Sequence, residues 1–313
     1  MNARQLILGL GVIGALGLGA HPLAAQTARP NSHAPDIAYG AFQRGFYMTA
    51  FTEASKRAEQ NDFKAMTLLG ELYANGLGVA RDDQKAAEWY KRAADHGDRE
   101  AMFALGMFYM DGRGGAANRD QGAKLLASAA KLGNSSAAYN LGLLYLEGQQ
   151  FPQDFTRAGE LFRAAARAGN PDAQYALATM YKEGRGVSKD PREAARLMGQ
   201  AALAENLDAI VEYAIMLFNG EGITKDEKTA AALLEKAAHR GSPIAQNRLA
   251  NLLAVGRGLP ANPTEAIKWH IIAKSGGAAD PALDDFMARQ KPDVRSAGEA
   301  AAEHWLATLA RQG

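Results

Sequence analysis

At 313 residues, with 47% hydrophobic and 22% charged side chains, the chain can bury a large core and has the composition of an ordinary folded protein. It contains no cysteine, which excludes disulfide support, thiolate metal sites and lipid attachment through a cysteine. A net charge of only +1 argues against nucleic acid or a broadly anionic surface as partner.

Residues 1–25 read as a targeting segment. Arg4 supplies a short positive start, Leu6 to Ala20 is an uncharged apolar run, and Leu23-Ala24-Ala25 offers small or apolar residues for cleavage after Ala25. The apolar run is shorter than the roughly 20 residues of a membrane span, so no integral membrane segment is expected after cleavage. The periplasm or the exterior is the expected location. Gly9, Gly11 and Gly14 spell G-x-G-x-x-G, but with no strand before them and no βαβ context they are not a dinucleotide fingerprint. Cleavage removes Arg4 alone among the Lys, Arg, Asp and Glu residues, which brings the net charge to 0. Residues 26–36 are polar and contain proline, the composition of a disordered leader.

Residues 37–64 carry a helical pattern of Phe42, Phe46, Tyr47, Ala50, Phe51 and Ala54, expected to be an N-terminal helical cap. From Ala65 one pattern then returns every 36 residues, at Ala101, Ala137, Ala173, Ala209 and Ala245, filling residues 65–280. Within a repeat, position 1 is always Ala, and positions 1, 5, 8 and 9 trace one helix face. Position 6 is small throughout (Gly70, Gly106, Gly142, Ala178, Ala214, Ala250), so a second helix can approach closely. Position 12 is always Gly and position 14 is Gly except at Gln150, so the first helix ends near position 11. Position 18 is Asp82, Asn118, Asp154, Asp190, Asp226 or Asn262, a helix N-cap. The second helix buries positions 22, 25, 26, 29 and 30 and stops at Gly97, Gly133, Gly169, Gly241 or Gly277, with Glu205 the exception. Residues 281–313 leave the pattern: a short helix with Leu283, Phe286 and Met287, a break at Pro292, and a longer amphipathic helix to Ala310. They serve either as a C-terminal helical cap or as a partner-binding element.

The chemistry of catalysis is not visible. None of the six histidines has metal-ligand spacing. His96 and His239 sit at ends of second helices, and His270 replaces an apolar position-26 residue as a packed core histidine. There is no nucleophile motif and no phosphate loop, and the glycine-rich loops lack a following Lys-Ser/Thr. No cofactor and no metal are expected.

The run A-x-x-x-L-G-x-x-Y-x-x-G-x-G-V, a capping Asp, K-A-x-x-W-Y and A-A-x-x-G resembles the Sel-1-like repeat, a relative of the tetratricopeptide repeat. The likeness covers residues 65–280. Copy 3 departs at Gln149–Pro152, and copies 5 and 6 lose the position-9 Tyr. The resemblance implies an all-α fold: a right-handed α-α superhelical solenoid of six helix-loop-helix repeats, acting as a non-enzymatic scaffold or adaptor for other proteins. By analogy with exported bacterial members it implies an envelope role, regulating a membrane sensor or assisting assembly. The alternative is an exported enzyme acting on cell-wall peptides or β-lactams, although the members so described are rich in cysteine and this chain has none.

A protein or peptide segment is the expected partner, and a monomer the expected state. In such stacks the first helices line the concave side, and positions 3, 4, 7, 10 and 11 face it. The candidate partner-binding residues are Phe103, Met107, Met110, Tyr139, Leu143, Leu146, Val211, Ile215 and Phe218, with Asn140, Tyr175, Lys182 and Glu212 among them. Curvature tight enough to bury these side chains between first helices is the competing arrangement.

Overall fold

The computed structural model describes residues 36–311, and among them it has sixteen helices and no strand. The expected targeting segment and all but the last residue of the leader lie outside the described residues. The chain forms two units, Met1–Asp154 and Phe155–Gly313.

The first unit holds α1 (Ile37–Gln43), α2 (Tyr47–Ala58), α3 (Phe63–Asn75), α4 (Asp83–Asp95), α5 (Arg99–Asp111), α6 (Arg119–Lys131) and α7 (Ser135–Glu147), each packed on its neighbours in sequence. The second holds α8 (Phe155–Arg167), α9 (Pro171–Glu183), α10 (Pro191–Leu203), α11 (Leu207–Asn219), α12 (Glu227–His239), α13 (Pro243–Val255) and α14 (Pro263–Ser275). It ends with α15 (Pro281–Ala288) and α16 (Pro292–Ala310). From α8 to α15 consecutive helices again pack pairwise, the stacking of an α-solenoid, and α16 lies on α14.

Local chemistry sets these boundaries. The first helices begin two residues before the invariant Ala, after Asp62, Asp98, Asn134, Asn170, Asn206 and Ser242. Each of these caps accepts the N–H of that Ala, at 2.7 Å for Ala137 and 3.3 Å for Ala245. Position 1 is therefore the third helical residue, and the invariant Ala is buried just inside the cap. The helices end at Gly76, Gly112, Gly148, Gly184, Gly220 and Gly256, all left-handed. Asp82, Asn118, Asp190, Asp226 and Asn262 cap second helices. Where the other copies stop the second helix with a glycine near φ +86°, Glu205 takes φ 65°, as Asn61 takes φ 63° after α2.

The small residue at position 6 closes each hairpin. A methyl group on Gly70 would stand 2.5 Å from the Tyr90 ring. Between α5 and α6 the contact is with backbone, since a Cβ on Gly122 would meet the Gly106 carbonyl oxygen at 2.8 Å.

The glycine at position 14 has a second use. A Cβ on Gly114 would lie 2.5 Å from the Asp83 carbonyl oxygen, on Gly186 2.2 Å from that of Phe155, and on Gly222 1.9 Å from that of Pro191. The loop of one repeat thus lies flat on the start of the preceding second helix. Side chains reinforce this clamp: Arg113 pairs with Asp83 at 2.8 Å, Arg185 stacks on Phe155 and Arg257 pairs with Glu227. In copy 3, Gln150 donates to Asp120 instead.

At the N-terminal end α2 begins 36 residues before α4, in the register of a second helix, and Arg57 ties Asp36 to Asp62. At the C-terminal end Gly298 seats α16 on Ile267, and Trp305 stands edge-on to Trp269 at 5.2 Å. His270 is 1% exposed and pairs with Asp284 at 2.8 Å, a packed core histidine.

Gly222→Ala and Gly241→Ala separate the clamp from backbone strain. Both residues have positive φ, but nothing lies within 4 Å of a Cβ at Gly241. Gly241→Ala is expected to cost about 1 kcal/mol and Gly222→Ala about 3 kcal/mol or more in urea unfolding, because only the second adds a clash with backbone. Equal costs would remove the clamp from the account.

Candidate partner-binding surface

On a first helix, positions 36 (the residue before position 1), 3, 7, 10 and 11 share one face. Side chains on this face reach toward the next first helix in the stack. Asn247 and Asn251 donate to Asp280 at 3.3 and 2.9 Å, and the Thr67 hydroxyl donates to Asp98 at 3.2 Å. The face is thus partly a seam and partly an open wall.

In the first unit, Phe103, Met107 and Leu143 are half-buried and present apolar surface on this wall. Met110 is also half-buried, but its thioether lies against Gly122 of its own hairpin. Asn140 is half-buried and its amide donates to the Ser136 carbonyl at 2.8 Å. In the second unit Tyr175, Ile215 and Phe218 are half-buried, and Lys182 pairs with Glu212 at 2.8 Å. Arg257 covers one face of the Phe218 ring at 4.5 Å.

Three candidates are not on open surface. Tyr139 and Leu146 are 8% exposed and Val211 is 4% exposed. They share the face with Phe103 and Phe218, which stay half-buried, so burial along this face is set by local packing and not by position alone. In each unit the surface available to a partner is correspondingly smaller than its candidates taken together.

The wall is also charged in a way that total charge hides. The first helices α5, α7, α9 and α11 each carry more acid than base, whereas the second helices α6, α8 and α10 carry more base than acid. Asp172 and Asp208 belong to this face. Sequence reasoning missed them because it began the first helix two residues late and left position 36 in the loop.

Two groups on the wall depart from ordinary titration. Burial pushes the Glu71 carboxyl up to about 7. Burial, then the charges of Asp208 and Glu212, push the Tyr175 hydroxyl up to about 12. Neither has a nucleophile–base arrangement around it. Among the described residues there is no group of three His, Cys, Asp or Glu that could hold a metal ion, and no helix long and apolar enough to cross a membrane.

Tandem helix pairs of fixed length with a side-chain-lined outer wall define an α-helical repeat protein of the interaction type. The Sel1 repeat model matches residues 63–98, 99–134, 135–170, 171–206, 207–242 and 243–277, more than half of the chain, and the chain belongs to the Sel1 repeat family. The matched segments start where the first helices start. Members of this family are generally protein–protein interaction scaffolds. The chain is similar to the Sel1 repeat protein from Oxalobacter formigenes, with 28% identity, a TM-score of 0.70, and coverage of 76% of this chain and 98% of that one. It is also similar to c5321, a protective antigen of uropathogenic Escherichia coli with an SLR fold, with 26% identity, a TM-score of 0.58, and coverage of 83% and 64%. No curated protein matches the chain.

The raised carboxyl gives a test of the wall's burial. Glu71 ordinarily titrates near 4.5, so unfolding releases its proton between pH 4.5 and about 7 and stability falls as pH rises through that window. Glu71→Gln is expected to be more stable than the parent by on the order of 2 kcal/mol above pH 7 and to match it near pH 4, read from urea unfolding across pH. A constant difference across pH would contradict the assignment.

Proposed function

We propose that the protein is a non-catalytic scaffold, exported through its N-terminal segment, whose first-helix walls hold a segment of another protein in the bacterial envelope. The observation that carries this is the apolar stripe of Phe103, Met107 and Leu143. The hairpins close through position 6 and the interior is filled by other side chains, which leaves these three with surface to offer a partner. Met107 adds an unbranched thioether side chain that adapts to an irregular partner. Export rests on the sequence of residues 1–25 alone. The role in regulating a sensor or aiding assembly rests on the family likeness.

Photo-crosslinking from position 107 in envelope extract, with Arg92 on a second helix as the comparison site, tests the wall. Adducts are expected from 107 and not from 92, and are expected to disappear on Leu143→Ser. The double variant Met107→Ser, Leu143→Ser is expected to keep its helical spectrum and to lose no more than about 1–2 kcal/mol of stability. Adducts of equal yield from both sites, or unfolding of the double variant, would contradict an open wall. Export is checked by fractionation and by finding Gln26 at the mature N-terminus.

A further inference from the structure

The wall of the second unit differs in chemistry from that of the first. On α11, Asp208, Glu212 and Ile215 are spaced by four and three residues and so form one stripe. On α9 the facing stripe is Asp172, Tyr175, Thr179 and Lys182. The two are joined at one end by Lys182 and Glu212 at 2.8 Å, and at the other by the Asn206 amide donating to Asp172 at 2.7 Å. Asp208, Glu212 and Glu183 stand near enough to Tyr175 to act on its hydroxyl, Asp172 stands near Asp208, and Asp208 has no hydrogen-bond or ion-pair partner among the described residues. First-turn placement at a positive helix end accounts for Asp172 and Asp208, but Glu212 lies a full turn further on, where that effect has decayed. Partial desolvation, then the neighbouring charges of Glu212 and Asp172, hold the Asp208 carboxyl above its usual range. Beside these acids Ile215 and the Tyr175 ring present half-buried apolar surface. The excess of acid over base on these two helices complements a cationic side chain.

We propose that this stripe recognises a polypeptide segment carrying a lysine or arginine beside an apolar side chain, with the cation among Asp172, Asp208 and Glu212 and the apolar group on Ile215 and Tyr175. This rests on the reading that first-helix walls hold partner segments, and it names the chemistry that one of them selects. A cation in this position neutralises Asp208 and relieves its repulsion with Glu212, while the neighbouring apolar contact favours a polypeptide over a small free amine. The basic second helices repel the same segment, which orients it to this side.

The test uses the mature chain and two fluorescein-labelled peptides of roughly 12 residues, one of Leu, Ala and Lys and the other identical with Gln for Lys. Anisotropy at low salt is expected to show the Lys peptide binding about tenfold or more tighter than the Gln peptide, with the difference shrinking as salt rises. The double variant Asp208→Asn, Glu212→Gln is expected to lose that difference while keeping its helical spectrum and melting temperature. Glu160→Gln, Glu193→Gln on second helices is expected to bind as the parent does. Equal binding of the two peptides, or an unchanged difference in the Asp208→Asn, Glu212→Gln variant, overturns the proposal. If both peptides bind equally and Ile215→Ser abolishes binding, the wall holds segments without selecting charge, and only this inference fails. If neither peptide binds, the reading of the wall as a peptide surface fails with it.

Discussion

The distance between the two helices of a hairpin is the constraint on which the rest of the structure depends. It is set at position 6, where Gly70 lies under the Tyr90 ring and Gly106 under Leu126 and the backbone of α6. Glycine faces tyrosine in copy 1, whereas in the second unit Ala178, Ala214 and Ala250 belong to copies whose position 26 is Met198, Leu234 and His270. All three alanines are fully buried, so the added methyl group is accommodated in the closed hairpin. A hairpin closed this tightly leaves the far side of the first helix to the seam with the next first helix and to the candidate wall.

Within each unit, neighbouring repeats are joined by a different device. The loop after the first helix lies on the first turn of the preceding second helix, a contact possible only because position 14 has no side chain in most copies. Exposed ion pairs such as Arg257 with Glu227 add little in water. The half-buried pair of Arg113 with Asp83 adds more, and Arg113 and then Arg81 hold the Asp83 carboxyl well below the usual range. Copy 3 lacks the glycine and keeps the connection through the amide of Gln150. Stability in such a stack is a sum of local closures and nearest-neighbour contacts.

Much of this was legible in the sequence because the repeat supplies several independent readings of every position. The Asp or Asn at position 18, the Gly at position 12 and the small residue at position 6 each point to one conformation. The clamp at position 14 was not legible: a glycine needed for a turn and a glycine needed for a close approach look alike in sequence. The start of the first helix was placed two residues late because the invariant Ala drew attention from the cap, which varies between Asp, Asn and Ser. That displacement hid Asp172 and Asp208 from the wall. The burial of Tyr139, Leu146 and Val211 was hidden for another reason. Helical periodicity says which face a side chain shares, but how much of that face a neighbouring helix covers depends on tertiary packing.

The central claim, that hairpin closure at position 6 against position 26 holds the fold, is tested most directly by amide hydrogen exchange across α3 and α4. The proteins to compare are Gly70→Ala, Tyr90→Leu and their combination. The account predicts that Gly70→Ala alone lowers protection in both helices by about tenfold or more, and that the same change costs little once Tyr90 is Leu. An equal loss of protection from Gly70→Ala in both backgrounds would contradict it.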